Sequence, residues 1–167
     1  MPETILIFRS EAWYSRNYGI FDAAGSKLGR VEFLGRGTEA EITCEGIPCA
    51  CLFRLRYSPA GPSFDLIESP ARLSVITKQI VKAAQMGSAV LVSFEVEGRA
   101  SQLLLEKSVE VDDAYDLFLP NGVVEPGARI GRLTSQNHLS CEAYVPLSVQ
   151  LFCFALSKYH SRTDHSD

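Results

Sequence analysis

The chain has 167 residues, 16 basic against 20 acidic, for a formal net charge of -4. That length fits one domain or two very small ones, and a chain of this size buries about two thirds of the surface it exposes when unfolded. The mildly acidic balance argues against nucleic acid held by a broad basic field, while leaving a local basic pocket open.

The N-terminal residues Met1 to Arg9 contain no basic segment followed by an apolar one, so no signal peptide is expected. No run approaches the ~20 apolar residues of a membrane-crossing helix. Five cysteines without a framework spacing fit a reducing compartment, so a cytoplasmic protein is expected.

Thr4 to Phe8 is short, apolar and rich in β-formers, which predicts a strand. Tyr18-Gly19-Ile20-Phe21 predicts another. Asp22 to Gly25 is a turn, because Asp bonds its own backbone and Gly accepts a positive φ. Leu28 to Phe33 alternates apolar and polar, as a half-buried strand does. Glu41 to Cys44 and Cys49 to Tyr57 form the next pair around Gly46-Ile47-Pro48, and Ser58 to Pro62 reads as a loop.

Ser69-Pro70 then opens a different pattern. Ser at the N-cap, Pro in the first turn and apolar residues at 73, 76, 80, 83 and 84 predict an additional amphipathic helix over residues 70–86, with Gly87 as its cap. Part of it, Ile76 to Val81, is equally compatible with a strand. Beyond it, Ala89 to Glu97, Ser101 to Lys107, Tyr115 to Leu119 and Ala128 to Leu133 predict strands, and His138 to Tyr144 leads into the C-terminal segment.

That segment organises the rest. Pro146 suits the start of a helix, and Leu151 to Leu156 are six consecutive apolar residues. At 100° per residue they point in all directions, and Ser148 and Gln150 lie roughly 200° apart, so no wet face exists. Such a helix must be enclosed. Residues 161–167 are expected to form a disordered tail after a single domain spanning 1–160.

Two segments also match each other. Tyr18-Gly19-Ile20-Phe21, a turn with Gly25 and Leu28-Gly29-Arg30-Val31 parallel Tyr115-Asp116-Leu117-Phe118, a turn with Gly122 and Ile130-Gly131-Arg132-Leu133. This repeat implies two similar sheet halves of one barrel. Together with the many short strands it predicts a mainly β fold: a closed antiparallel β-barrel around a central hydrophobic C-terminal helix.

With these features the chain resembles the tubby C-terminal-like superfamily, which includes tubby proteins, plant LURP-one-related proteins and phospholipid scramblases. The resemblance rests on the doubled strand–turn–strand pattern ending in apolar-Gly-Arg-apolar, the β-rich body and the closing apolar helix. It implies a barrel wrapped around a helix, no catalytic centre, and binding of anionic phospholipid head groups at membranes.

Candidate chemistry is sparse. Cys49, Cys51, His138 and Cys141 could be drawn as a zinc set, but C-x-C lacks the knuckle geometry, and buried thiols are the simpler reading, so no metal and no cofactor is expected. His138 is the only internal histidine, and neither a nucleophile motif nor a phosphate-cradling loop is present, so no enzyme is expected. Asp112-Asp113 with Glu106 and Glu110 reads as a solvated turn. Arg54 and Arg56 share a strand face, and Arg30 and Arg132 occupy equivalent places in the repeat. Because a guanidinium grips phosphate bidentately, these four are the candidate ligand-binding residues. Trp13-Tyr14 is expected to cap one barrel mouth, with a membrane-interface anchor as the alternative.

The expected function is a non-enzymatic module for an anionic phospholipid or phosphorylated ligand, peripheral to a membrane. A protein-interaction or structural module is the second reading, which the acidic total favours over bulk electrostatic attachment to a membrane. A carrier of a small apolar ligand in a barrel mouth is the third.

Overall fold

The computed structural model describes residues 3–13, 15–34, 38–47, 50–58, 61–68, 79–86, 89–121 and 125–164. Twelve strands run in chain order: β1 (Glu3–Ser10), β2 (Asn17–Asp22), β3 (Lys27–Leu34), β4 (Glu39–Cys44), β5 (Cys51–Ser58), β6 (Gly61–Glu68), β7 (Gln79–Met86), β8 (Ala89–Val96), β9 (Arg99–Lys107), β10 (Tyr115–Asn121), β11 (Glu125–Leu133) and β12 (His138–Glu142). One helix follows, α1 (Leu147–Asp164). Each strand pairs antiparallel with the next, and β1 pairs with β12 to close the barrel, with Leu6 opposite Leu139.

Closure removes every sheet edge, but twelve strands enclose more space than their own side chains fill, as eight would. The helix fills it. Val149 and the run from Leu151 through Leu156 are all buried. Phe154 stacks on Phe8 with ring centroids 3.7 Å apart and meets Tyr18 edge-on, while Phe152 packs on Phe53 at 5.5 Å. Each such aromatic contributes roughly 1.5–3 kcal/mol by leaving water. The mainly β barrel around a central C-terminal helix is therefore the observed architecture.

Three expectations change. Over 79–86 the chain is the strand β7, hydrogen-bonded to β6 and β8, and not a helix; residues 69–78 lie outside the described residues. The helical spacing in this stretch comes from a β-bulge: the register slips between Leu66 and Ile67, so Ile80 is an extra residue that breaks the alternation. The stretch 58–62 holds the end of β5 and the start of β6, because Gly61 and Pro62 are the first residues of a strand. Finally, α1 continues through Ser161 to Asp164, so Ser161 belongs to the helix rather than to a tail.

The repeat is real in register but divides the barrel differently. Tyr18 lies opposite Val31 and Ile20 opposite Gly29; Tyr115 lies opposite Leu133 and Leu117 opposite Gly131. The match extends one strand further, with Gly29 opposite Cys44 and Arg30 opposite Thr43, as Gly131 is opposite Cys141 and Arg132 opposite Ser140. These copies sit four strands apart on a ring of twelve, which is a third of the ring and not a half. The remaining third carries the same pattern: Phe64 opposite Ala83, Leu66 opposite Val81, Lys82 opposite Ser93. All three hairpins slip register at the same place, between Ile20 and Phe21, Leu66 and Ile67, and Leu117 and Phe118. The apolar-Gly-Arg motif is thus a bulge motif. A Cβ on Gly29 would run into the Thr43 carbonyl, and one on Gly131 would lie 2.8 Å from that of Ser140.

Candidate functional site

The arginines singled out by sequence do not form one pocket. Arg30 and Arg132 stand on β3 and β11, a third of the barrel apart. Of these four, each whose side chain is described is matched by a carboxylate. Arg54 grips Asp65, its cross-strand partner, through Nε at 2.8 Å and Nη2 at 3.3 Å, and Asp65 is fully buried. Arg132 grips Asp116 through Nε at 2.6 Å and reaches Glu110 at 2.9 Å. Arg30 donates from Nε and Nη2 to Glu11 at 2.8 and 3.1 Å. Beyond its place in β5, opposite Ser63, Arg56 lies outside the description at side-chain level.

The electrostatics follow. Burial alone would push the Asp116 carboxyl up, but hydrogen bonds from Arg132 and Ser108 and the charges of Arg132 and Arg129 outweigh it and hold the carboxyl below its ordinary range. The hydrogen bonds to Asp116 and Glu110 raise the Arg132 guanidinium, and the bond to Asp65 raises that of Arg54. These pairs fasten neighbouring strands.

Cys44, Cys141 and Cys153 are unreactive by environment, and Cys49, the first member of the sequence-drawn zinc set, lies outside the described residues. Burial pushes the Cys44 thiol up to about 11 and the Cys141 thiol up to about 12, so neither is a thiolate at neutral pH. Cys153 is raised by burial inside α1. Among the described residues no three His, Cys, Asp or Glu side chains form a metal-binding group. In the β9–β10 loop, Glu110 pairs with Arg129 and Arg132, in keeping with a solvated turn. Trp13 is 94% exposed and therefore does not cap a mouth by burial; Tyr14 lies outside the described residues.

Among the clefts lined by described residues, two lie at opposite ends of the barrel. At the end where α1 begins, a cleft of about 410 Å³ is lined by the apolar Phe94, Val96, Leu119, Ile130 and Tyr144 and by the polar Glu97, Arg99, Ser101 and Gln102. Phe94 and Ile130 belong to the core, whereas Leu119 and Tyr144 are 40% and 42% exposed, so apolar surface runs from the interior out to solvent. The β8–β9 hairpin builds one wall. Its tight Glu97-Gly98 turn has both residues at positive φ, and it sets Arg99 opposite Val96. Among the described residues the Arg99 side chain makes no ion pair and no hydrogen bond. Arg99 escapes sequence reasoning because nothing local separates it from the paired arginines; only the register shows which arginines face a carboxylate.

At the opposite end a cleft of about 250 Å³ lies between the last turns of α1 and the connections flanking β10, β11 and β12. Its walls are mostly polar.

The fold and these clefts define a twelve-stranded barrel closed on its own helix, with an apolar mouth at one end and a hydrogen-bonding one at the other. Compared with protein-family models, curated proteins and solved structures, the chain matches none. No described helix is long and apolar enough to cross a membrane.

Proposed function

We propose that the protein is a non-enzymatic, tubby-like module that binds an anionic lipid at a cytoplasmic membrane surface. The ligand sits in the mouth where α1 begins. The observation that carries this reading is Arg99, which among the described residues makes no ion pair, on the wall of a cleft whose lining is mostly apolar but includes Glu97. An acyl chain would lie against Phe94, Ile130, Leu119 and Tyr144, and a phosphate or carboxylate head would take the fork of Arg99. A volume of about 410 Å³ falls within the ~300–1,000 Å³ of small-molecule sites. The barrel wrapped around an apolar helix supports the resemblance on which the lipid reading first rested.

Native mass spectrometry of freshly purified protein, followed by co-sedimentation with vesicles containing phosphatidic acid or phosphatidylserine, tests it. Retained lipid and vesicle binding are expected, with affinity falling about tenfold in Arg99→Ala. Arg54→Ala should lower stability without removing binding. Absence of both retained lipid and binding to either vesicle would sink the reading.

A second reading, a protein-interaction module, is favoured by Trp13 and Val109, which are 94% and 96% exposed at the opposite end.

A further inference from the structure

The mouth where α1 begins carries two charges of opposite sign that do not meet. Glu97 and Arg99 flank Gly98 in the turn between β8 and β9, and both line the cleft. Among the described residues neither side chain makes an ion pair or a hydrogen bond, although a single residue separates them. The turn holds them in place: Glu97 and Gly98 sit at φ +52° and +79°, and Val96 lies opposite Arg99 in the ladder. Such a two-residue turn matches the twist of its strands, so both charges stay on one wall.

Charge and volume narrow the ligand. A head group that is only negative satisfies Arg99 but brings like charge towards Glu97, whereas one that also carries an ammonium meets both. The apolar lining runs from the exposed Leu119 and Tyr144 to the buried Phe94 and Ile130. A methylene fills the space of a water in the liquid, ~30 Å³, so a cleft of about 410 Å³ takes on the order of a dozen carbons. That is one acyl chain; the two long chains of a membrane phospholipid do not fit together.

We propose that this mouth selects a single-chain phospholipid whose head carries a primary amine, with the phosphate on Arg99, the ammonium on Glu97 and the chain against Phe94, Ile130, Leu119 and Tyr144. Glu97 then sets the head-group specificity. The inference rests on the lipid reading of this mouth and narrows it.

The test is isothermal titration of the full chain with lauroyl lysophosphatidylserine, lauroyl lysophosphatidylglycerol and dihexanoyl phosphatidylserine, each below its micelle concentration. Near neutrality the serine and glycerol heads have the same net charge, and only serine carries an amine. The two serine lipids have the same number of acyl carbons, in one chain or in two. The single-chain serine lipid should bind best. It should exceed the glycerol lipid about fivefold, the upper end for an exposed ion pair, and its two-chain counterpart about tenfold. Glu97→Gln should erase the preference for serine over glycerol. Equal binding of the serine and glycerol lipids, a serine preference that survives Glu97→Gln, or two-chain binding as tight as single-chain binding overturns the proposal and leaves the lipid reading standing. Binding of none of the three removes both. The wild-type comparisons decide alone should the variant fail to fold.

Discussion

The two ends of this barrel face the same solvent and are built from the same antiparallel meander, yet one mouth is apolar and the other polar. The difference lies in the helix that joins them. From Val149 to Leu156 every α1 residue but Gln150 is apolar and all are buried; from Ser157 onward the residues turn polar, and Lys158 to Ser161 are only half-buried. Gln150 is accommodated because its Nε2 donates to the Val145 carbonyl at 2.9 Å. The composition of one rod, read from end to end, thus sets the chemistry available at each opening.

Five substitutions would break or sharpen that contrast. The largest effect is expected from Phe154→Ala, at the junction of the two halves of α1, where the ring stacks on Phe8 and lies under Lys158. Loss of about 3–5 kcal/mol in urea unfolding is expected, and both mouths should suffer. Next is Asp116→Asn, which removes the carboxylate that anchors Arg132 near the polar end. The folded carboxyl lies below its unfolded value, so its contribution is complete above the unfolded pKa of about 3.9 and disappears as pH falls through the lower folded value. Wild type should therefore exceed Asp116→Asn by about 1.5–3 kcal/mol near neutrality, with the gap closing below about pH 4 in a pH series of urea melts.

Gly29→Ala near the apolar end should cost about 2 kcal/mol, because the new Cβ meets the backbone of Thr43 and lies 2.6 Å from the Cα of Cys44. Gly131→Ala, at the equivalent place, has its nearest contact at 2.8 Å and should cost less, as paired thermal melts would show. The smallest effect belongs to Ser157→Ala. It removes a hydroxyl that donates to the Phe154 carbonyl at 2.6 Å and should lose about 0.5–1.5 kcal/mol, with lipid binding at the other mouth unchanged.

The enclosed helix was legible in the sequence because six apolar residues in a row leave no direction for water. Leu28 to Phe33 was legible from period-two alternation and Thr4 to Phe8 from a short run of β-formers. Residues 63–68 of β6 went unassigned, and β7 was obscured by tertiary structure. The strand at 79–86 hides behind its bulge and behind Lys82-Ala83-Ala84, which favour a helix locally; pairing on both sides overrides that preference. The middle copy of the repeat was masked because Val81 and Lys82 stand where the other two copies have Gly and Arg. The sites resisted for a different reason. Arg54 and Arg132 look like phosphate ligands until the register sets Asp65 and Asp116 opposite them, and Arg99 looks ordinary until the same register leaves it without an acid.

Closure by β1 and β12 also bears on how the molecule is made. Of the twelve strands, the two that must meet are the first and the last in the chain, and the segment they surround is later still. A nascent chain carries eleven strands of curled sheet before the partner of the first one appears, and its greasy inner surface stays uncovered until the final helix arrives to act as the mandrel. Until that helix is made, the hollow sheet exposes the kind of apolar surface that makes incomplete chains prone to aggregate.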